Sequence, residues 1–373
     1  MRETVTYLIV GAGFTGATLA ERIATVLGEE VLVVERRARV GGSAEDYRAD
    51  DGLLIQKYGP HVFHTNSPKV WDYVQRFGEW RPIQYRVAAS VGGELVPLPL
   101  GLSMLQSMVR LGHLSADGAD SLAAALVQDY GLGARIGIRE LTRAYPELGG
   151  WAIEHVYRGY NAKHWGMSIE ELPPSVLARL PFVVGEQDSY FTDKYQAVPV
   201  NGYTALIERM LDHPKITVEC GVDVQVINPE YKVIWTGSPD AFFNEAGALP
   251  YRSVEFSASV TRTTLPVEFA TITHPRPDLT LTRATSMLKH AGRPNENQWD
   301  VQVCDFPCAY EPGKNDPFYP IPLEANVRRA QEYAARAPRN VHFAGRLGSY
   351  TYLNMDQAIA QALALFEKIK CSS

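Results

Sequence analysis

Three glycines near the start of the chain have the spacing that holds a dinucleotide. Gly11, Gly13 and Gly16 follow an apolar, β-rich run, and a stretch with helical periodicity begins at Phe14. In this pattern the first glycine permits a tight turn and the second lets the backbone approach a pyrophosphate. The third lets the helix pack closely on the strand. Because the first N–H groups of a helix favour an anion, the sequence predicts that this turn binds a pyrophosphate.

A carboxylate follows at the distance expected for a ribose contact. Glu35 ends the second predicted strand, about twenty residues after the glycines, where an acid can accept hydrogen bonds from both ribose hydroxyls. Arg36 comes next, and a pair of glycines, Gly41 and Gly42, precedes Ser43. Such a pair after the ribose acid is common in large flavoproteins, so the sequence favours FAD over NAD.

The C-terminal part of the chain offers residues for the other half of a flavin site. A predicted strand runs into Gly345 and Arg346, and this arginine either pairs a flavin phosphate or lies solvated in a loop. Asn354 is predicted to cap a last helix that begins at Met355. If that helix start faces the flavin pyrimidine, its N–H groups stabilise negative charge at N1 and O2; otherwise Asn354 only caps the helix.

A second set of residues, rich in tyrosine and arginine, suits a nucleotide diphosphate. Hydroxyl groups and guanidinium forks bind phosphate oxygens, and aromatic faces stack on bases. Taken singly, each aromatic residue is better explained as part of a core. The set consists of Tyr160, Trp165, Tyr190, Tyr319, Tyr352, Arg179 and Arg283.

The order of the predicted elements indicates an α/β fold. A strand over residues 4–10, a helix over 14–27 and a strand over 31–34 form a βαβ unit. We predict a Rossmann-type FAD-binding domain with an inserted helical domain and an antiparallel β-sheet substrate domain. The predicted parts are FAD-binding segments at 1–80, 201–240 and 326–373, a hairpin at 81–100, a helical insertion with a mobile lid at 101–180, a sheet segment at 181–200 and the substrate sheet at 241–325.

The composition argues against several classes of partner. A formal net charge of −6 and the lack of a basic stripe argue against nucleic acid and against an anionic membrane. The sequence has no run of about eighteen apolar residues and no signal-peptide pattern. The four cysteines are scattered without a CxxC spacing, so we expect neither disulfides nor a metal site. We therefore expect a cytoplasmic protein.

Longer runs resemble the prokaryotic UDP-galactopyranose mutase family nearly from end to end. They are YLIVGAGFTGA, IQKYGPHVFHTN, EWRPIQYRV, GYNAKHWG, YFTDKYQAVPVNGY, LPYRSVEF, DPFYPIP and GRLGSYTYLNMDQAIAQAL. The resemblance implies an isomerase that interconverts the pyranose and furanose forms of a nucleotide-diphosphate sugar, with UDP-galactose as the expected substrate. It implies FAD, reduced by NAD(P)H or another external reductant, whose N5 attacks the anomeric carbon to give a flavin–sugar iminium. It also leads us to expect a homodimer.

The resemblance also assigns roles by position. Tyr160 and Trp165 correspond to aromatic residues beside uracil. Arg179, on the expected mobile lid, and Arg283 correspond to the arginines that bind the diphosphate. The resemblance further places His61 and His64 beside the flavin, Tyr190, Tyr319 and Tyr352 on phosphate oxygens, Thr273 near the substrate, and Phe14, Val62, Arg346, Asn354 and Met355 on the cofactor. Without the family, each histidine is equally well explained as a core residue.

Departures from the family pattern fall near the sugar. Ser43 stands where the family has asparagine, Gln56 where it has histidine, Thr273-His274 where it has asparagine and an aromatic residue, and Ser286 where it has glutamate. These departures leave the sugar open. A 6-deoxy, N-acetylated or pentose sugar is the alternative to galactose, and thymine is the alternative to uracil.

Two functions of other classes stay open. One is an amine-oxidase-like or desaturase-like flavin oxidoreductase, which would share the fold but transfer electrons. The tyrosine and arginine set argues against it, because a simple amine or apolar substrate needs no diphosphate clamp. The other is a nucleotide-sugar-binding protein without catalysis, which the departures on the sugar side suggest.

Overall fold

The structure is a computed structural model. It describes residues 5–50, 52–187, 189–224, 230–262, 268–292 and 299–372. Residue 4, at which the first predicted strand begins, lies outside these ranges. None of the helices described is long and apolar enough to cross a lipid bilayer.

The described strands and helices have the following bounds. The strands are β1 (Tyr7–Val10), β2 (Val31–Glu35), β3 (Asp46–Arg48), β4 (Leu54–Gln56), β5 (Phe63–Thr65), β6 (Trp80–Pro82), β7 (Val87–Val91), β8 (Glu94–Leu98), β9 (Arg135–Ile136), β10 (Phe182–Val183), β11 (Tyr195–Pro199), β12 (Ile216–Cys220), β13 (Lys232–Trp235), β14 (Tyr251–Thr261), β15 (Thr271–Thr273), β16 (Arg283–Ser286), β17 (Asp300–Ala309), β18 (Tyr319–Pro320) and β19 (Val341–Phe343). The helices are α1 (Phe14–Arg22), α2 (Pro68–Gln75), α3 (Ser103–Arg110), α4 (Ala116–Tyr130), α5 (Ile138–Ala144), α6 (Pro146–Ala152), α7 (Gly159–Trp165), α8 (Pro174–Leu177), α9 (Tyr203–Leu211), α10 (Pro239–Phe242), α11 (Met287–His290), α12 (Glu324–Arg336), α13 (Gly345–Gly348) and α14 (Met355–Ser372). A 3₁₀ turn spans Gly42–Ala44, and π-helical turns span Ile23–Leu27 and Ile153–Arg158.

The chain folds into two compact units. Unit 1 consists of Met1–Pro82, Asp193–Ser253 and Ala309–Ser373, and unit 2 consists of Ile83–Thr192 and Val254–Cys308. The chain therefore leaves unit 1 twice and returns to it twice. The finer division into seven parts, made from the sequence, stays a prediction.

Unit 1 contains a five-stranded parallel sheet with the order β12-β2-β1-β13-β19. Tyr7 of β1 lies opposite Val31 on one side and Lys232 on the other. Parallel sheets are covered on both faces, which explains why β1 and β2 read as continuous apolar runs. This sheet confirms the predicted Rossmann-type fold. Unit 1 also holds a three-stranded antiparallel sheet with the order β5-β11-β6 and the pair β3-β4.

One hydrophobic core fixes the two helices that matter for the cofactor. Ile9 of β1, Leu19 of α1, and Ile359 and Phe366 of α14 belong to a single cluster of buried side chains. Each is at most 2% exposed, so each contributes on the order of 2 kcal/mol of burial energy. This packing holds the start of α1 and the start of α14 in place on the same unit.

Unit 2 combines a sheet with helices α3 to α8. Its strands follow the order β14-β17-β16-β15-β7-β8, and the chain enters unit 2 within β14, at Val254. The pairs β15–β16, β16–β17 and β7–β8 are antiparallel, whereas β15 and β7 run parallel. The predicted antiparallel substrate sheet is thus confirmed, with one parallel pair that the sequence did not indicate. The apolar run at residues 301–303, which predicts a strand, lies near the start of a longer strand, β17.

Candidate active site

The glycine turn after β1 has the geometry that a pyrophosphate requires. Gly11 has a φ of +106°, and a Cβ added there would lie 2.0 Å from the hydroxyl oxygen of Thr236. A Cβ on Gly16 would lie 2.0 Å from the carbonyl oxygen of Gly11. Around Gly13 the space is open, because a Cβ there would meet only the Cα of Gly42, at 3.6 Å. The turn is therefore closed at its two ends and accessible in the middle.

Glu35 fixes this turn to the end of β2. Its Oε2 accepts a hydrogen bond of 2.9 Å from the backbone N–H of Ala12, and its Oε1 accepts one of 3.0 Å from that of Arg37. A carboxylate has about four lone-pair positions, so these two bonds leave it able to accept ribose hydroxyls. The sequence predicted the ribose contact but not the bond to the turn.

A cavity of about 600 Å³ in unit 1 brings most of the predicted cofactor residues together. Those that line it are Gly11, Gly13, Phe14, Gly16, Glu35, Arg36, Gly42, Ser43, His61, Arg346, Asn354 and Met355. Val62 is buried and is not among the described residues that line the cavity. Cavities of this size hold cofactors or drug-sized ligands.

Sequence reasoning missed part of the lining. Trp235, Thr236, Gly237 and Ser238 line the same cavity. Trp235 is the last residue of β13 and the other three follow it, and β13 is the neighbour of β1 in the sheet. Ligands of parallel α/β sheets bind at the carboxyl ends of the strands. The Thr-Gly-Ser run could have been found by this rule, but only once the strand order was known.

Arg346 lies beside two of the predicted phosphate tyrosines. Its guanidinium donates hydrogen bonds of 2.9 and 2.6 Å to the carbonyl oxygen of Leu353. It also lies 5.3 Å from the ring centre of Tyr319 and 5.1 Å from that of Tyr352. The two rings stack with their centres 5.3 Å apart. The arginine therefore gives a positive charge to the cavity edge while it fixes the segment before α14.

Two glutamine side chains of α14 accept hydrogen bonds from the backbone, one at the start of this helix and one at the start of α13. The backbone N–H of Asn354 donates to Oε1 of Gln357 at 2.9 Å, and that of Gly345 donates to Oε1 of Gln361 at 2.7 Å. The first contact has the form of a capping box. Asn354, Met355 and Ala358 line the cavity, so this helix start lies at its wall.

Both predicted histidines are oriented through Nδ1. In His61 this nitrogen lies 2.8 Å from the carbonyl oxygen of Gly59, which can only accept, so Nδ1 carries the proton. In His64 it lies 2.9 Å from Oδ2 of Asp193. Gln56, a departure from the family pattern, holds His61 further: its amide bonds the N–H and the C=O of that residue.

The aromatic residues of α7 form a small cluster in unit 2. Tyr160 stacks on His164 with 5.8 Å between ring centres and 10° between planes, and Trp165 packs edge-on against His164 at 5.1 Å. Tyr160 is half-buried, whereas Trp165 is only 4% exposed. Tyr160 is therefore the more accessible of the two predicted base contacts.

Arg283 and Thr273 are cross-strand partners in unit 2. They face each other in the β15–β16 pairing, and Arg283 lies opposite Asp305 in the β16–β17 pairing. The guanidinium of Arg283 donates to Oδ2 of Asp305 through Nε, at 2.6 Å, and through Nη2. The hydroxyl of Thr273 donates to the carbonyl oxygen of Ala88 at 3.3 Å.

Asp305 is a residue that sequence reasoning missed. Its side chain is 1% exposed, and burial raises the pKa of its carboxyl, while the charge of Arg283 opposes that rise. A buried carboxylate beside a guanidinium orients the arginine and supports its charge. The only signal in the sequence is a charged residue in the alternating pattern of β17, which is not specific.

Arg179 and Tyr190 lie outside this strand pair, whereas Ser286 is the last residue of β16. Arg179 is exposed in the turn that follows α8. The N–H of Tyr190 donates to the carbonyl oxygen of Tyr85 at 2.6 Å, and its ring packs edge-on against Phe191. Ser286, which stands where glutamate was expected, caps α11 by accepting a hydrogen bond from the N–H of Lys289.

Comparison with known proteins identifies the family. A family model described as UDP-galactopyranose mutase matches residues 155–352, which is more than half of the chain. A protein named probable UDP-galactopyranose mutase from Klebsiella pneumoniae is 32% identical over 95% of this chain and 92% of its own. The chain belongs to the UDP-galactopyranose mutase family.

Other similar proteins include a further curated relative and two solved structures, of which the structures show the fold. The dTDP-fucopyranose mutase of Escherichia coli is also 32% identical, over 95% of this chain and 96% of its own. A crystal structure of reduced UDP-galactopyranose mutase superposes with a TM-score of 0.73 at 16% identity, covering 100% of this chain and 95% of that one. A putrescine oxidase superposes with a TM-score of 0.56 at 14% identity and coverage of 98% and 99%, which shows a shared fold only.

Membership of the mutase family defines the class of reaction and the class of cofactor. The protein is an isomerase that interconverts the pyranose and furanose forms of a nucleotide sugar, and it uses a flavin. The cavity of unit 1 fits this cofactor. Gly13 has no side chain, so a pyrophosphate can approach the N-terminus of α1 there, and Glu35 lines the same cavity. A second family model, described as an NAD(P)-binding Rossmann-like domain, matches residues 9–77, the segment that contributes these groups.

Proposed function

We propose that the protein interconverts UDP-galactopyranose and UDP-galactofuranose with FAD kept in the reduced state. The observation that carries this proposal is the 32% identity with the Klebsiella relative over nearly the whole of both chains. It extends over the cofactor cavity of unit 1 and over the aromatic and arginine residues of unit 2. NAD(P)H or another external reductant would reduce the flavin, and the cytoplasm is the compartment that would supply it. We expect the enzyme to be a homodimer.

Unit 2 would supply the groups that recognise the nucleotide. The ring of Tyr160 offers a face on which uracil can stack. The guanidinium of Arg283 is positively charged and its side chain is 26% exposed, so it would attract a phosphate group of the ligand. Arg179, exposed and charged, would add a second positive group to the diphosphate. Tyr190 would donate its hydroxyl to a phosphate oxygen.

Unit 1 would hold the cofactor. Glu35 would accept the ribose hydroxyls, and the N–H groups at the start of α1 would bind the pyrophosphate. The positive end of α14 favours negative charge on the ring. When bound, reduced FAD would supply the nucleophile for the anomeric carbon. The flavin would take the bonding electron pair back when its bond to that carbon breaks. Tyr319 and Tyr352, held by Arg346, would donate their hydroxyls to the phosphate that leaves.

A dTDP-linked 6-deoxy sugar is the second candidate substrate. The dTDP-fucopyranose mutase is as similar to this chain, at 32% identity, as the Klebsiella relative is. The residues that depart from the family pattern, among them Thr273, His274 and Ser286, fall on the side predicted for the sugar. Loss of a glutamate there removes a charged acceptor for sugar hydroxyls, and a 6-deoxy sugar has one hydroxyl fewer to bind.

The decisive experiment compares sugars under one set of conditions. Anaerobic, dithionite-reduced holoenzyme is incubated with the pyranose forms of UDP-galactose, dTDP-fucose, UDP-N-acetylgalactosamine and UDP-arabinose, and furanose products are separated by chromatography. We expect UDP-galactose to have the highest kcat/KM, and oxidised enzyme, the matched control, to be inactive. A dTDP-sugar that reacts about tenfold faster, a preference of about 1.4 kcal/mol, would establish the second candidate instead.

Two other outcomes would contradict the proposal as a whole. Oxygen consumption that depends on a substrate, without a change of ring form, would identify an oxidoreductase. Tight binding of UDP with no turnover of any sugar, in either redox state, would identify a binding protein.

A further inference from the structure

One lysine of unit 2, Lys163, donates hydrogen bonds to three backbone carbonyl oxygens, which indicates a structural role. The ammonium group of Lys163, in α7, donates hydrogen bonds to the carbonyl oxygens of His274 at 2.5 Å, Arg276 at 2.8 Å and Leu281 at 2.8 Å. An ammonium has three N–H donors, so these three acceptors match them in number. The lysine lies in the run GYNAKHWG, between the two aromatic residues predicted to contact the base.

The three carbonyls all belong to the connection between β15 and β16. His274 follows the last residue of β15, and its N–H donates to the carbonyl oxygen of Thr282 at 2.8 Å, which closes the base of the connection. Leu281 lies just before the start of β16 at Arg283. Lys163 therefore joins the beginning, the middle and the end of this connection.

A second contact fixes the same helix to the same connection. A Cβ added to Gly159 would lie 1.9 Å from the carbonyl oxygen of Pro275, so only glycine permits this approach. Gly159 and Lys163 are four residues apart and share one face of α7. Tyr160 and His164, also four apart, stack on another face. One face of the helix is thus bound to the connection, and a different face carries the ring offered to the base.

Charged groups surround the ammonium. Arg276 pairs with Asp278 on the exposed side of the connection. Burial lowers the pKa of Lys163 to about 8, with Asp278 opposing the shift. Burial, and the charges of Lys163 and Arg276, lower the pKa of His274. A half-buried cation is retained at such a place when its hydrogen bonds offset the loss of hydration.

We propose that Lys163 is a positioning residue that fixes the base-binding helix α7 to the connection leading into Arg283. It thereby sets the separation between the ring of Tyr160 and the guanidinium of Arg283 before the nucleotide binds. This inference rests on the proposed function, because it takes Tyr160 as the base contact and Arg283 as a phosphate contact. As a consequence, α7 and the connection lose little conformational entropy when UDP binds, because the contacts for its base and its diphosphate are already in place.

The test separates this role from a general loss of stability. Dissociation constants of uridine and of UDP are measured on oxidised holoenzyme for wild type, Lys163→Met and Lys163→Arg. Lys163→Met should weaken UDP binding about tenfold and leave uridine within about twofold, because only UDP needs both contacts at a fixed distance. KM for the UDP-sugar should rise by a similar factor of about ten, with kcat changed less than about threefold. Lys163→Arg keeps the charge and should restore part of the UDP affinity, since its flat fork cannot reach three converging acceptors equally.

Two further variants serve as an independent test and as a control. Gly159→Ala should reproduce the selective loss of UDP affinity, because its methyl group pushes α7 away from Pro275. If Lys163→Met is recovered without flavin, Gly159→Ala and Lys163→Arg decide the question in the same assay. Lys69→Met, on the exposed side of α2 in unit 1, should change neither constant.

The possible results distinguish the two proposals. Wild type that does not bind UDP would contradict the proposed function itself. Wild type that binds UDP, with variants at Lys163 and Gly159 that bind it equally well, would overturn only the inference about Lys163. A parallel loss of uridine and UDP affinity would also overturn it, because it would indicate damage to α7 and not to its placement.

Discussion

At the scale of single residues, the ion pair Arg283–Asp305 links a ligand-accessible charge to the stability of unit 2. Asp305 is 1% exposed, whereas the side chain of Arg283 is 26% exposed. The carboxylate thus depends on the arginine, and the arginine retains access to solvent or ligand. Removal of the arginine would leave the carboxylate charged and unpaired in the interior. The free energy lost in this way exceeds the free energy that the intact pair contributes to stability.

We predict that Arg283→Met destabilises the protein in a pH-dependent way. Burial raises the pKa of Asp305, and loss of Arg283 removes the influence that opposes this rise. A carboxyl with a raised folded-state pKa favours the folded state below its unfolded pKa and loses that contribution as pH rises. The deficit relative to wild type should be about 3 kcal/mol at pH 7.5. It should shrink by up to about 1.4 kcal/mol per pH unit towards pH 5.

Denaturant unfolding at several pH values measures this deficit. The double variant Arg283→Met/Asp305→Leu is the matched control, because it replaces both charges and should recover most of the lost stability. A deficit that does not change with pH would show that Asp305 is not the group responsible. So would a double variant as unstable as the single one.

At the scale of elements, the three glycines of the first turn make different and separable contributions. Gly16 allows α1 to approach the turn, since a Cβ there would lie 2.0 Å from the carbonyl of Gly11. Gly13 has no such constraint in the protein itself, since its nearest neighbour would be 3.6 Å away. The fold therefore requires glycine at position 16, whereas only cofactor binding requires glycine at position 13.

We predict opposite phenotypes for alanine at these two positions. Gly16→Ala should destabilise the apoprotein by roughly 1–3 kcal/mol, because backbone atoms must move. Gly13→Ala should leave the stability of the apoprotein within about 0.5 kcal/mol of wild type. It should nonetheless weaken FAD binding more than about tenfold, since its methyl group occupies the path of the pyrophosphate. Denaturant unfolding of apoprotein and flavin titration measure the two effects.

Gly150→Ala provides the control for these variants. Gly150 lies in α6, and a Cβ there would meet no atom within 4 Å. Both measurements should therefore stay at wild-type values or improve slightly. Wild-type FAD affinity in Gly13→Ala would contradict the role given to that glycine.

Local signals were sufficient to predict several elements from the sequence. Serine is a preferred residue before the first turn of a helix, and the hydroxyls of Ser67 and Ser115 accept hydrogen bonds from the N–H groups of Val70 and Gly118. The predicted helix over residues 14–27 is present, but its last five residues form a π turn, Ile23–Leu27. Five residues are too few for apolar periodicity to distinguish the two.

Pairings between distant segments could not be predicted in the same way. The parallel pairing of β7 with β15 joins residues far apart in the chain, and no local pattern encodes it. The three carbonyls that surround Lys163 are backbone groups, so no residue type marks them. Asp305 became a candidate only when the register placed it opposite Arg283. The types of the predicted residues were visible in the sequence, and their partners required the fold.

At the scale of the whole molecule, the cofactor cavity joins chain segments that are separated by excursions into unit 2. Its lining comes from residues 10–61, 222–246 and 310–358. All of these segments belong to unit 1. A ligand that contacts all three stabilises only the arrangement in which they are folded together. FAD is therefore expected to contribute to the stability of unit 1 as well as to the reaction.

We predict that FAD raises the unfolding temperature of the apoprotein, and that the increase continues with the logarithm of the FAD concentration above the Kd. Free FAD at about 100 times its Kd should add about 2.7 kcal/mol. For a folded unit of this size, that corresponds to an increase in Tm of roughly 5–10 °C. Riboflavin, which lacks the pyrophosphate and adenosine, cannot contact the glycine turn, Glu35 and the start of α14 together. It should shift Tm far less at equal concentration.

Thermal unfolding of apoprotein with FAD, riboflavin or ADP tests this expectation directly. If the two units unfold in separate transitions, only one of them should move with FAD, because the described residues of unit 2 do not line the cavity. A shift with riboflavin equal to that with FAD would mean that the adenosine half contributes nothing. Protein that takes up no flavin and shows no shift would remove the assignment of this cavity as the cofactor site. In that event the arginine and tyrosine residues of unit 2 would bind a nucleotide without the group that performs the reaction.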